Sequence, residues 1–289
     1  MNTFQDAGTG RRIAVCLDDH GLHDGIDAAT LELAAIGRLS AVSVMSEGPT
    51  WPASAEALRA VRQARGGALD VGLHLNLTEP LGGEPGRPLG RLIAQALLGR
   101  LDRRALADTI ARQIDRFEDG WGAAPDHIDG HQHVHQLPQV RERLLAEMQR
   151  RWGRAPAGAR PWLRASASPG GHGLPFRFKA AIISTLGADA LRRQAGQGGW
   201  PVSGRLLGVH DFQADTRTLT GLLEAWFTLA RDGDLLMCHP GAAPRGASTP
   251  DPIAAARATE LALWRSEALG ERLERHGIRI EPMSRLLAR

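Results

Sequence analysis

The stretch Ile13–Gly37, IAVCLDDHGLHDGIDAATLELAAIG, sets a pattern that the rest of the chain repeats. Its first five residues are apolar and partly β-branched, which predicts a buried strand. Gly25–Gly37 has the apolar spacing of an amphipathic helix. The polar group Asp18-Asp19-His20 lies between the two. A strand, a polar turn and a helix in this order form the repeating unit of a parallel α/β fold.

The same unit recurs along the chain, and this recurrence decides the predicted architecture. Strands are predicted at Ile13–Leu17, Ala41–Met45, Leu69–Leu75, His127–Asp129, Pro161–Arg164, Leu206–Val209, Leu235–Cys238 and Ile278–Ile280. Helices are predicted at Gly25–Gly37, Ala53–Arg65, Arg104–Phe117, Pro138–Trp152, Phe176–Leu186, Thr218–Arg231 and Ile253–His276. Such alternation favours a single-domain (β/α) barrel-like fold, a distorted TIM-type barrel with its site at the C-terminal ends of the strands. The barrel domain is expected over residues 12–289, after a disordered N-terminus at residues 1–11.

Composition excludes several classes of function. The 289 residues carry a net charge of only +3 and their basic residues are scattered, so we expect no nucleic-acid partner. No apolar run approaches the ~18 to 20 residues of a membrane span. The first ten residues lack the apolar segment of a signal peptide, so a cytoplasmic protein is expected. Cys16 and Cys238 lie in apolar runs and are expected to be buried rather than redox-active.

Residues suited to catalysis follow four of the predicted strands. The four segments are Leu17-Asp18-Asp19-His20-Gly21, Gly72–Thr78 with His74, His127–His135 with four histidines, and Leu235–Gly241 with His239. None is convincing alone, and a histidine within a leucine-rich strand is more often a core residue. Together they supply an Asp and two His for a metal with open positions left for water and substrate. They also supply a spare carboxylate and a spare His as general base and general acid. A nucleophilic serine has less support, because no G-x-S-x-G turn occurs.

Backbone alternation gives two further expectations. Adjacent residues of an extended strand face opposite ways, so one of the two aspartates would ligate a metal while the other reaches a metal-bound water. His131, His133 and His135 would share one side if their segment stays extended.

The four segments together resemble, in order and spacing, the YdjC/ChbG/HpnK family of carbohydrate deacetylases. The motifs are LDDHG, DVGLHLNLTEP, PDHIDGHQHVHQLP and DLLMCHPG, and the resemblance covers about residues 12 to 284. The family usually has Phe at the position of His20, Ala or Thr at that of Leu17, and often HHH at that of His131-Gln132-His133. These departures remove no ligand, although His20 would place a second imidazole beside the site.

The resemblance implies a metal-dependent hydrolase that removes an N-acetyl group from an acetylated amino sugar, a chitooligosaccharide in the best-known branch. Carried over by motif, the metal ligands are Asp19, His74 and His131, the base is Asp18 and the acid is His239. Metal-activated water would attack the acetamide. The expected substrate contacts are His20, His133, His135, Arg164, His210 and Asp211. Trp51, Trp162 and Trp200 could stack on a sugar ring, although packing is the more common use of a tryptophan.

The metal and the substrate remain open at this point. The family resemblance implies Mg²⁺, whereas two imidazoles and one carboxylate suit Zn²⁺ better. The alternatives are an amide hydrolase acting on another substrate, such as a hopanoid or secondary-metabolite precursor, and a non-catalytic sugar- or metal-binding barrel. The spare Asp and His argue against the non-catalytic alternative. The expected partner is a small carbohydrate, and a homodimer is plausible by analogy.

Overall fold

The fold is built around eight parallel strands, as the apolar runs predict. The computed structural model describes residues 10–169, 181, 183–245 and 251–288. Each predicted strand is present, with bounds shifted by a few residues. The strands are β1 Arg11–His20, β2 Ala41–Val44, β3 Asp70–Leu75, β4 His127–Gly130, β5 Trp162–Leu163, β6 Leu206–Leu207, β7 Leu235–Cys238 and β8 Ile278–Ile280. Arg11, the last residue of the segment predicted to be disordered, begins β1, and residues 1–9 lie outside the described residues.

The sheet is curled into a half-barrel, which confirms the prediction of a distorted barrel. Its order is β5-β4-β3-β2-β1-β7-β6, and β8 pairs with the first residues of β1. The two edge strands approach one another through the segments that follow β5 and precede β6. Leu163 forms an isolated parallel bridge with Val202, and the backbone N–H of Leu206 donates to Ala167 at 2.8 Å.

Helices cover the outer face of the curled sheet. They are α1 Asp24–Ala35, α2 Trp51–Ala64, α3 Leu89–Leu97, α4 Arg103–Trp121, α5 Val140–Trp152, α6 Ala188–Gln197, α7 Thr216–Leu229, α8 Ala254–Trp264, α9 Glu267–Arg275 and α10 Met283–Leu287. The prediction of one helix over Ile253–His276 was wrong: Ser266 ends the first helix and caps a second by accepting from Leu269 N–H at 3.3 Å. Helices α3, α6 and α10 were not predicted. The predicted helix Phe176–Leu186 lies mostly outside the described residues.

Alternation along the strands separates an apolar outer layer from a mixed interior. Outward residues pack against the helices in one large buried cluster, whereas Ala14 and Cys16 of β1 belong to a second cluster inside the curl. Met283 of α10 completes the inner cluster, and Ser284 bonds the interior carboxylate of Asp70. Above this apolar floor the inward positions become polar and lead to the carboxyl ends of the strands. Among the described residues, no helix is long and apolar enough to cross a membrane.

Candidate active site

The carboxyl ends of the strands bring three of the predicted residues into one cluster. Asp19 is at the end of β1, His74 lies in β3 and His131 follows β4 directly. Asp19 Oδ1 lies 3.0 Å from His131 Nδ1 and 3.4 Å from His74 Nε2. One ligand atom from each residue lies within 4.8 Å of the other two, which is close enough to hold a single metal ion. Two nitrogens and one oxygen leave further coordination positions for water or substrate, as in catalytic sites.

Both imidazoles are held from behind by a second carboxylate. His74 Nδ1 lies 2.6 Å from Asp129 Oδ1, and His131 Nε2 lies 3.3 Å from Glu79 Oε1. A histidine that ligates a metal usually donates its other ring N–H to such a partner, which fixes the tautomer and orients the ring. This arrangement leaves the nitrogens that face Asp19 for a cation, so the residues fit a divalent metal.

The cluster is electrostatically prepared for a positive charge. Burial lowers the pKa of His74, but the carboxylates of Asp129 and Asp18 outweigh burial and raise the pKa to about 10. The pKa of His131 is likewise raised, because Asp19 and Glu79 overcome the effect of burial. The same carboxylates that raise these two pKa values would also attract a bound cation, which would displace the second proton of each ring.

An unusual backbone conformation allows adjacent aspartates to reach the same site. Asp19 has φ of +72°, in the left-handed region that non-glycine residues rarely adopt. The alternation expected of an extended strand is therefore broken between Asp18 and Asp19. Each carboxylate has its own guanidinium: Arg164 binds Asp18, and Arg257 of α8 binds Asp19 Oδ2 at 2.7 Å.

Asp18 lies beside the cluster and is ionised. Burial raises the pKa of its carboxyl, but the Arg164 guanidinium and the His74 imidazole together outweigh burial, so the pKa is lowered. Arg164 holds both oxygens at 2.6 Å and also lies 2.5 Å from Asp129 Oδ2. Arg164 is fully buried, so the structure does not support the prediction that it contacts substrate. Its guanidinium instead lies inside the half-barrel as a buried cation.

His239 reaches the same region from the end of β7. Its Nε2 lies 3.8 Å from Asp18 Oδ2, and its backbone N–H donates to Glu260 Oε2 at 2.7 Å. Burial lowers the pKa of its imidazole. His210, predicted to contact substrate, is buried and instead lies 3.1 Å from Glu260 Oε1, so that it supports the loop of His239 from below.

The histidine run after β4 does not stay extended, so the condition under which its three histidines would share one side is not met. His131–Gln136 form a short 3₁₀ segment in which Gln132 and His133 have left-handed backbone angles. His133 Nδ1 turns to Ser166 Oγ at 3.0 Å. His135 is fully buried, and its Nε2 bonds the carbonyl oxygen of Arg164 at 2.8 Å. His135 is thus placed too deep for substrate.

Two other predicted substrate contacts, His20 and Asp211, have partners outside the cluster. His20 is fully buried, with Nδ1 3.3 Å from Asp27 Oδ1 and its ring edge-on to Trp51 at 6.1 Å. It therefore packs among the helices and adds no imidazole to the site. Asp211 is exposed, and its Oδ1 accepts from the backbone N–H of Gln213.

The three tryptophans considered for sugar stacking are core residues. Trp51, Trp162 and Trp200 are all less than 5% exposed. Trp51 stacks on Phe117, and Trp162 stacks on His127 inside the half-barrel. Packing is therefore their role.

Sequence reasoning missed Asp129, Glu79, Arg257 and Glu260. Asp129 lies within the quoted DHIDG motif, two residues before the predicted ligand His131, and alternation with His127 could have placed it inside the curl. Arg257 and Glu260 are three residues apart and share a face of α8. No local signal shows that this face reaches the rim of β1 and β7.

A second group of potential ligands, Cys16, His127 and Asp129, lies deeper in the half-barrel. Arg164 occupies this space, because one guanidinium nitrogen lies 3.0 Å from Cys16 Sγ and 2.5 Å from Asp129 Oδ2. A metal ion there would be repelled by the arginine at contact distance. A third group, Asp18, His74 and Asp129, has the same guanidinium on both of its carboxylates, so the group at Asp19 is the better candidate metal centre.

A cleft of about 330 Å³ opens beside the cluster. Glu79, which bonds His131, lines it together with Asn76, Arg87 and Arg112. The cleft runs between α4 and the loop after β3, and Asp19, His74 and His131 are not among its lining residues.

The half-barrel and the carboxylate–imidazole cluster at its rim define an α/β-barrel enzyme with a candidate metal centre. The chain belongs to the YdjC-like protein family, whose match covers residues 12–275. It is 30% identical over 257 residues to a mouse protein named carbohydrate deacetylase, with 80% of this chain and 78% of that protein covered.

A bacterial relative and a solved structure extend the comparison. A protein of Klebsiella pneumoniae named chitooligosaccharide deacetylase is 33% identical over 137 residues, covering 45% of this chain and 52% of its own length. A crystal structure from Enterococcus faecalis, provisionally named for cellobiose-phosphate cleavage, has a TM-score of 0.68. It covers 96% of this chain and 100% of its own at 16% identity, so this likeness shows the fold alone.

Proposed function

We propose that this protein is a metal-dependent hydrolase that removes the acetyl group from an N-acetylated amino sugar. One observation carries the proposal: an ionised carboxylate, Asp18, and an imidazole, His239, stand beside the Asp19–His74–His131 cluster without belonging to it. A site that only binds sugar or metal has no need of this additional pair. Membership of the YdjC-like family and the names of the mouse and Klebsiella relatives support the choice of an acetylated sugar.

Asp19, His74 and His131 would hold the metal. A bound divalent cation would supply Lewis acidity to a water molecule and to the acetamide carbonyl. The donor set of two nitrogens and one oxygen suits Zn²⁺, whereas the family resemblance implies Mg²⁺. Asp19 Oδ2 is fixed by Arg257, so Oδ1 is the oxygen that faces the imidazoles.

Asp18 is placed to act as the general base. Each oxygen of a carboxylate has two lone pairs, so the two hydrogen bonds from Arg164 leave acceptor capacity for a water. The Arg164 guanidinium lowers the pKa of Asp18, which keeps the carboxylate deprotonated and its lone pairs available to a water. As the water loses that proton, a C–O bond to the acetyl carbon forms.

His239 is placed to protonate the departing nitrogen when the C–N bond breaks. Its Nε2 lies 3.8 Å from Asp18 Oδ2, too far for a direct hydrogen bond, and is thus not consumed by the carboxylate. At this distance no substrate group fits between them, so both would reach an acetamide bound beside them. The products would be acetate and a free amino sugar.

Acetate release from diacetylchitobiose and from a panel of other N-acylated amines tests the substrate. Release from none of the sugars would refute the proposal, and release only from a non-sugar amide would favour the alternative of a hopanoid or secondary-metabolite precursor. Absence of turnover on the whole panel with retained sugar binding would instead indicate a non-catalytic barrel.

Three variants test the assigned roles. Asp18→Asn should abolish turnover and retain the metal, whereas His74→Ala should lose the metal. Asp119→Asn removes an exposed carboxylate of α4 and serves as the matched control that leaves both unchanged. An active Asp18→Asn enzyme would show that the base is another group, and full metal content in His74→Ala would remove His74 from the ligand set.

A further inference from the structure

A strained aromatic residue contacts the proposed acid. Phe212 lies in the loop after β6 and has φ of +63°, in the left-handed region. Its ring meets the ring of His239 edge to face, with centroids 5.0 Å apart and planes at 85°. The phenylalanine is half-buried at the rim of the half-barrel. Non-glycine residues are held in this backbone region mainly where the surrounding structure requires it, often at functional sites.

The imidazole of His239 lacks the hydrogen bond that commonly orients a catalytic histidine. Its Nδ1 is buried and has no hydrogen-bond partner among the described residues. Glu260 accepts from the backbone N–H of His239, which fixes the main chain but makes no hydrogen bond to the ring. The plane of the ring therefore depends on what packs against it.

Phe212 is also connected to Glu260, through a hydrogen bond to His210. Its backbone N–H donates to His210 Nδ1 at 3.2 Å, and His210 Nε2 lies 3.1 Å from Glu260 Oε1. The other oxygen of Glu260 holds His239. One carboxylate of α8 thus fixes both loops, and the aromatic contact completes a closed arrangement of His239, Glu260, His210 and Phe212.

We propose that Phe212 is a positioning residue whose ring holds the His239 imidazole in the orientation that delivers a proton to the leaving amine. This inference rests on the proposed function, since it needs His239 to be the acid. Edge-to-face contact is a preferred aromatic geometry, so it can select one orientation of the ring. Substrate binding does not require this contact, so its loss should act on kcat rather than on KM.

The test compares Phe212→Leu, which removes the aromatic edge, with Phe212→Tyr, which keeps it. Phe212→Leu should lower kcat for diacetylchitobiose by roughly 10- to 100-fold, which is no more than the lower limit of the ~10² to 10⁴ that general acid–base catalysis contributes. Its KM and metal content should stay within about twofold of the parent values, and Phe212→Tyr should restore most of kcat. Phe212→Met provides the same comparison if the leucine variant does not fold.

A double-mutant cycle separates positioning from general support of the fold. In a His239→Ala background, Phe212→Leu should cause no further loss of kcat, because the residue acts through His239. The inference would be overturned if the kcat losses of Phe212→Leu and His239→Ala were fully additive. It would also be overturned if Phe212→Leu left kcat unchanged or changed KM alone. If His239→Ala retains the parent kcat, the acid assignment in the proposed function fails, whatever the result at Phe212.

Discussion

Replacement of Arg164 by methionine should reveal how strongly the half-barrel depends on its internal cation. The Arg164 guanidinium is fully buried and contacts two carboxylates, holding Asp18 through both oxygens at 2.6 Å and Asp129 Oδ2 at 2.5 Å. Methionine has a similar length and no charge, so the variant leaves the carboxylates buried without this partner. His74 still bonds Asp129 at 2.6 Å, so the penalty should fall mainly on Asp18.

The magnitude follows from the burial of both partners. Removing one member of a buried ion pair costs about 3–5 kcal/mol, a large share of the ~5–15 kcal/mol that stabilises a typical protein. In the parent protein the lowered pKa of Asp18 contributes stability above the pKa of the unfolded residue, and this contribution disappears as the pH falls through the folded value. In Arg164→Met, burial raises the pKa of Asp18, so acidification relieves the penalty. The difference between the two proteins should therefore shrink as the pH falls.

Urea unfolding at several pH values between 5 and 8 measures this difference. Arg150→Met is the matched control, because Arg150 pairs with Glu147 on the surface of α5 and its side chain is 64% exposed. Exposed pairs contribute about 0–1 kcal/mol, so the control should unfold almost like the parent. A loss below ~1 kcal/mol for Arg164→Met at pH 7.5, or a loss that grows on acidification, would refute the reasoning.

Three further predictions concern the metal, the sheet and the floor of the half-barrel. Asp129→Asn should weaken metal binding by ~10- to 100-fold, because His74 loses the carboxylate that orients it. Calorimetry with Zn²⁺ and Mg²⁺ measures this loss, and an unchanged affinity would contradict the prediction. Gly72→Ala should destabilise the protein by ~1–3 kcal/mol, because the added Cβ would lie 2.3 Å from a backbone oxygen of β4. Gly90→Ala is the control, since its Cβ would meet open space and should not destabilise the protein. Equal urea midpoints for the two variants would contradict this prediction. The pKa of Asp70 is raised to about 6 by burial, so the stability that it contributes is complete below the unfolded pKa of ~3.9 and is lost as the pH rises through 6. Asp70→Asn should remove ~3 kcal/mol of this pH dependence, and an unchanged slope of unfolding free energy between pH 4.5 and 7.5 would disprove the assignment.

The strands could be predicted from the sequence because a buried parallel strand is a short apolar run between polar turns. The missed helices lack such a signal. Helix α3 follows a loop rich in glycine and proline and has no side-chain cap, and α6 begins after Gly187 without one. Packing against the rest of the fold stabilises such helices, and packing is not visible in a local pattern.

The sequence could predict those residues of the candidate site that lie on regular strand backbone. The ligand positions at strand ends follow from the parallel topology. Asp19, Gln132 and His133 adopt left-handed angles, and such conformations in non-glycine residues follow from tertiary contacts rather than from local sequence. For this reason His135 does not lie where alternation from His131 would place it, and His20 lies outside the site although it follows Asp19 in the motif. Arg164 was assigned to substrate because its partner Asp18 lies 146 residues away in the chain.

The proposed division of roles between the two neighbouring aspartates is supported by which of their oxygens are already occupied. Arg164 holds both oxygens of Asp18, and this leaves each one with acceptor capacity for a water but disfavours direct coordination of a cation beside the guanidinium. Arg257 holds only Oδ2 of Asp19, so Oδ1 faces His74 and His131 without a competing cation. Two separate guanidinium groups also allow adjacent carboxylates to be ionised together. The choice of Asp19 as ligand and Asp18 as base is therefore favoured by the arginines, which no motif in the sequence identifies.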